Sequence, residues 1–194
     1  MALQTYADLT SAVASFSLWP NAPIPMFIAL AEEAIRPVLK HRLMETTITL
    51  SVVGGSSPTL PDDYQEIRAV LYNGYPIKPV SFYRTSKACS ETGYVITGNT
   101  LQILPTPADD YTIDLYYYQR LPALTDANQT NWLMANFASV YLHATLAQLY
   151  HWAKDSDAEA KEKSLLGESL TVMARDHTRT TQYGNTIIEE LSGW

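Results

Sequence analysis

Between Thr46 and Leu124 turn residues recur so often that no long helix can form there. Thr46 to Val53 is rich in β-branched residues, and Ile48, Leu50 and Val52 alternate, which predicts a strand. Gly54-Gly55-Ser56-Ser57-Pro58 reads as a loop, and Leu60-Pro61-Asp62-Asp63 as a turn. Ile67 to Tyr72 is the next strand. Asn73-Gly74 follows, a hairpin signal because both residues tolerate positive φ, so Tyr75 to Val80 pairs back. Tyr94 to Ile96 and Leu101 to Leu104 flank Thr97-Gly98-Asn99-Thr100, a second hairpin. Residues 111 to 118 alternate Tyr111, Ile113, Leu115 and Tyr117 against Thr112, Asp114, Tyr116 and Tyr118. Five or six such strands make a small antiparallel sandwich or barrel.

Both flanks have the period of helices. Thr5 and Asp8 form a capping box opening a first helix, with Leu9, Val13 and Phe16 on one face. A second helix starts near Pro23 or Pro25, with Ile24, Ile28, Ala31, Ile35 and Leu39 as its apolar stripe. Glu32 and Arg36 are spaced to pair on its wet side, and Pro37 kinks or breaks it. Trp132 to Trp152 is apolar on nearly every side, as is a helix central in a bundle or held between subunits. Ala158 to about His177 is a surface helix, and residues 178 to 194 show no clear period. The expected fold class is therefore α+β. Residues 1–45 and 126–177 form a helical bundle, 46–125 an inserted antiparallel β domain, and 178–194 a C-terminal docking tail.

A hydrophobic content of 46% and a charged content of 17% suit a folded core rather than wholesale disorder. The formal charge of −7 disfavours a protein that grips nucleic-acid phosphates. No apolar run is long enough to span a membrane, so no membrane partner is expected. The start, Met1-Ala2-Leu3-Gln4-Thr5-Tyr6, lacks the pattern of a signal peptide. Cys89 is the single cysteine, so no internal disulfide forms and a cytoplasmic origin fits.

The chain offers little for catalysis. His41, His143, His151 and His177 lack zinc-helix spacing, and one cysteine excludes a zinc knuckle. No phosphate loop, dinucleotide fingerprint or nucleophile elbow is present. Asp62-Asp63 and Asp109-Asp110 fall at turns, where Asp bonds local backbone amides. No catalytic residue, cofactor or metal is expected. The 13 Tyr and four Trp are the better clue, because such rings favour interfaces. Tyr72, Tyr75, Tyr116 and Tyr118 are the candidate β-domain interface. Ile187, Ile188, Leu191 and Trp194 give the C-terminal end apolar anchors for docking.

Several segments, in order and spacing, resemble the tailed-bacteriophage head-to-tail adaptor (connector) family. They are Leu60-Pro61-Asp62-Asp63-Tyr64-Gln65-Glu66-Ile67-Arg68, Asn73-Gly74, Gly98-Asn99-Thr100-Leu101 and Pro105-Thr106-Pro107-Ala108-Asp109-Asp110-Tyr111. Leu121-Pro122-Ala123-Leu124-Thr125-Asp126 and Asn131-Trp132-Leu133 continue the match into the long helix. The resemblance implies a non-enzymatic virion protein at the head–tail junction. It would form a ring of twelve copies on the portal protein, receive tail proteins (nozzle or tail tube) below, and pass duplex DNA without specific binding. It also implies that the C-terminal anchors dock on the portal or on an adjacent subunit. The alternative is a tail, baseplate or fibre-binding module using the same tyrosine-rich face. A hydrolase would need convergent acid and base residues that the sequence does not offer.

Overall fold

The structure is a computed structural model. It describes residues 3–17, 19–81 and 92–190, with side chains through residue 181. The fold is α+β, and the chain divides into two compact units, residues 1–43 with 121–194 and residues 44–120.

The first unit is helical. Helix α1 spans Tyr6–Phe16. Thr5 Oγ1 accepts from the Asp8 amide at 3.1 Å, and the Asp8 carboxylate accepts from the Thr5 amide at 3.0 Å. This is the expected capping box, satisfying donors that a helix start leaves open. Leu9 and Val13 are buried, but Phe16, the third member of the predicted stripe, lies exposed at the helix end. Helix α2, Ile24–Ile35, buries Ile24, Ile28, Ala31 and Ile35 as its period dictates. Arg36–Val38 is a 3-10 turn, the expected effect of Pro37, which cannot donate to an α-helical ladder.

The predicted helix from Trp132 to Trp152 is two helices, α3 (Trp132–Asn136) and α4 (Ala138–Ala153). The break falls at Phe137, with φ −138° and ψ 51°. Beside it the Asn136 side-chain amide donates to the Trp132 carbonyl at 2.7 Å. Side-chain competition for backbone groups is a recognised way to interrupt a helix. Lys154, at φ 60°, ends α4 in the left-handed region. Helix α5 is Ser156–Glu190. It does not stop near His177, where the apolar stripe of the sequence gives out. Both α2 and α5 pack against α4, which lies between them.

The second unit is one curled six-stranded sheet. Its strands are β1 (Glu45–Val52), β2 (Tyr64–Tyr72), β3 (Tyr75–Pro79), β4 (Gly93–Thr97), β5 (Thr100–Leu104) and β6 (Tyr111–Gln119). Their order is β1-β6-β2-β3-β4-β5. All neighbours are antiparallel except β3 and β4, which pair in parallel, a relation the turn signals could not disclose. Both hairpins fall where the sequence put them. Asn73 and Gly74 adopt φ 48° and 82°, the mirror-image turn that matches strand twist. The core is Val52, Leu60, Val70, Leu101, Ile103, Ile113 and Leu115 with the rings of Tyr94, Tyr111 and Tyr117.

Candidate interaction surfaces

Side chains directly opposite one another on an antiparallel pair share a face of the sheet. Tyr72 opposes Tyr75 across the β2–β3 hairpin and opposes Ile113 on β6, so both tyrosines belong to the core-facing side. Tyr116 opposes Thr47 and Ala69, and Tyr118 opposes Glu45 and Glu66, so these two lie on the other side. The sheet therefore does not gather the four candidate tyrosines on one surface. Tyr72 is half-buried and meets the Tyr111 ring at 5.5 Å. Tyr75, at the hairpin tip, is 76% exposed. Tyr118 is buried and donates to Glu45 at 3.3 Å, while Tyr116 is 39% exposed.

Tyr116 sits in a shallow groove on the outer face, lined also by Thr47, Ala69 and Leu71 and closed at one end by the Glu45–Arg68 ion pair. Thr49 donates to Asp114 at 2.6 Å on the same face. This side of the sheet is polar.

One residue of each acidic doublet holds distant parts of the β unit together, rather than bonding the local amides that the sequence suggested. Asp63 accepts from the Tyr117 hydroxyl at 2.9 Å, and its carbonyl accepts from the Arg120 amide. Burial first, and then that carboxylate, push the Tyr117 hydroxyl up to about 12. Asp110 caps the Gly54 amide at 3.0 Å. Gly54 is needed there, since a Cβ on it would lie 2.0 Å from the Ala108 carbonyl oxygen.

Among the described residues of the helical unit, Glu32, His41 and Thr145 are enclosed polar side chains. Glu32 is spaced to pair with Arg36, whose charge does act on it, but it lies buried rather than on the wet side of α2. Its Oε1 accepts from the Leu124 amide and from the Tyr141 hydroxyl, each at 2.8 Å. Asn131 completes the set, donating to Tyr141 Oη at 2.7 Å. Desolvation raises the Glu32 carboxyl above the usual range despite these donors, and burial raises the Tyr141 hydroxyl too.

His41 is fully buried, stacked on Trp132 at 5.5 Å and met edge-on by Phe137. Its Nδ1 accepts from the Leu43 amide, and its Nε2 faces Asp176 at 3.3 Å. The Arg42 amide donates to His177 Nδ1 at 3.1 Å. These bonds tie residues 41–43 to α5. His143 and His151 pair with Glu162 and Glu159. Among the described residues no group of three or more His, Cys, Asp or Glu is placed to hold a metal ion. No helix among them is long and apolar enough to cross a membrane. Cys89, Leu191, Trp194 and the side chains of Ile187 and Ile188 lie outside the described residues.

The profile of the SU10 adaptor protein family matches residues 4–187, and the chain belongs to that family of phage head-to-tail adaptors. This is a family of structural virion proteins, not of enzymes. No curated protein matches the chain.

Proposed function

We propose that this chain forms a ring, of twelve copies, beneath the portal protein, extends the DNA channel and offers the platform on which tail proteins assemble. The observation that carries this reading is the family match over residues 4–187, which takes in both the helical and the β unit. The chemistry of the chain agrees with it. A formal charge of −7 suits a conduit past which DNA slides. Tyr75 and Tyr116, exposed on opposite sides of the sheet, can meet different neighbours.

Averaged electron-microscopy images of particles test the position. Density from this chain as a ring at the portal vertex is the expected result. A distal position on the tail or baseplate would replace this reading with that of a tail attachment module.

A further inference from the structure

Strand β1 lies at one edge of the six-stranded sheet and β5 at the other. The β5 edge is partly taken. Thr59 bridges Thr100, the Leu60 amide donates to the Asn99 carbonyl at 2.9 Å, and the Leu101 amide donates to the Pro58 carbonyl at 3.0 Å. The β1 edge is open. All of Glu45–Val52 pairs with β6 on one side without a bulge, and among the described residues none makes a backbone hydrogen bond to the other side. An unpaired edge offers a row of amides and carbonyls to any strand that comes alongside, and proteins usually blunt it with proline, lysine or a bulge. Strand β1 has none of these. From Thr46 to Val52 it carries no charge, and Glu45 at its start is held by Arg68.

We propose that β1 pairs antiparallel with β1 of a second copy, joining the two sheets edge to edge about a two-fold axis through Thr49. The strand is complementary to itself. Ile48, Leu50 and Val52 oppose Leu115, Ile113 and Tyr111, and so lie on the core-facing side. Thr47, Thr49 and Ser51 oppose Tyr116, Asp114 and Thr112 on the outer side. With the axis at Thr49, Ile48 meets Leu50 of the other copy, Thr46 meets Val52, Thr47 meets Ser51, and Thr49 meets its own counterpart. Apolar and β-branched residues thus share one side, and hydroxyls share the other. No charge opposes a like charge, because Glu45 falls opposite Val53, just past the end of the other copy's strand.

The burial of the strand fits an occupant with this alternation. Ile48 is 36% exposed although it lies on the core-facing side, and Leu50 is half-buried, whereas Ile113 and Leu115 beside them on β6 are fully buried. What Ile48 and Leu50 lack is a neighbour on the open side. Leu50 and Ile48 of the second copy fill those two places and carry the apolar layer across the junction. A two-fold contact uses the same edge of each copy and stops at two. It does not build the ring, so the inference goes beyond that reading. It concerns the free chain, and it covers an edge that otherwise invites uncontrolled pairing.

Sedimentation velocity of the purified full-length chain over a concentration series tests the pairing. Conversion of monomer to dimer, and no further, is expected by about 0.1 mM, since one strand pair is a small interface. Thr47 and Ser51 are exposed, so charges there should leave the circular dichroism unchanged. Thr47→Lys/Ser51→Lys sets like charges directly opposite each other in the pair, and so does Thr47→Glu/Ser51→Glu; each chain alone should remain monomeric. Mixed one to one, the two should form a heterodimer, because each lysine then faces a glutamate. In a Cys89→Ser background, Thr49→Cys should oxidise to a disulfide-linked dimer. Thr112→Cys, exposed on the same side but one strand in from the edge, should not. This cysteine comparison decides the matter even if a charged chain loses its fold. A parent chain still monomeric at about 0.1 mM overturns the inference, as does association beyond two copies. Charged variants that associate like the parent, a mixture that stays monomeric, or equal crosslinking at Thr49→Cys and Thr112→Cys overturn it too. None of these results bears on the position at the portal vertex, which images decide separately.

Discussion

At the scale of residues, two buried polar groups in the helical unit set its sensitivity. Glu32 Oε1 accepts from two donors, and a smaller apolar residue would strand both. A buried donor left without a partner costs about 1–3 kcal/mol. Glu32→Ala should therefore destabilise the chain by about 2–4 kcal/mol in urea unfolding. Glu32→Gln, which keeps an accepting oxygen, should lose less than half of that. His41 gives a pH dependence of definite sign. Burial holds its imidazole below the ordinary value of 6.5, so the unfolded chain takes up its proton first as pH falls. The contribution is full above 6.5 and is lost as pH drops through the lower, folded value. Protonation would also cost Nδ1 its bond from the Leu43 amide. The stability difference between wild type and His41→Gln should narrow between about pH 7.5 and 5, read from denaturation midpoints across that range.

At the scale of elements, the β unit depends on close backbone approach as well as on strand pattern. The Gly55 amide donates to the Pro107 carbonyl at 2.8 Å, which brings the loop after β1 against the turn before β6. Only a residue without Cβ fits at Gly54 beside Ala108. Gly54→Ala should cost about 1–3 kcal/mol, the range of overpacking strain, seen as a lower urea midpoint. Gly55→Ala is the useful contrast, since no atom crowds that position and only its φ of 77° opposes a side chain. The helical elements show the opposite balance. The α1 capping box follows from local residues alone, and the buried stripe of α2 from its period. Beside the break at Phe137 a side-chain amide takes a helix carbonyl, a contact no period discloses.

At the scale of the whole molecule, the charge of −7 leads to a plain expectation about DNA. Affinity for duplex DNA comes largely from counterions released by Lys and Arg on phosphates, and here acidic residues outnumber basic ones, 20 to 13. Binding to duplex DNA at 0.15 M salt, where charges further apart than about 8 Å are screened, should be undetectable by fluorescence anisotropy at micromolar protein. Salt-sensitive, sub-micromolar binding would contradict a channel that passes DNA freely.

The sequence by itself determined the elements whose signals are local. Capping at Thr5, the end of α2 at Pro37, the Asn73-Gly74 turn and the Gly98-Asn99 hairpin are all decided by backbone preferences within a few residues. The order of helical and strand-rich segments, and the family resemblance carried by it, were legible for the same reason. Tertiary structure alone decided what depends on distant partners. It put β3 beside β4 in parallel, and placed Tyr72 and Tyr75 on one side of the sheet with Tyr116 and Tyr118 on the other. It turned Glu32 inward to meet Leu124 and Tyr141, which follow it by 92 and 109 residues. No local pattern encodes such a meeting, because whether a carboxylate is buried or wet depends on which donors the folded chain brings within 3 Å of it.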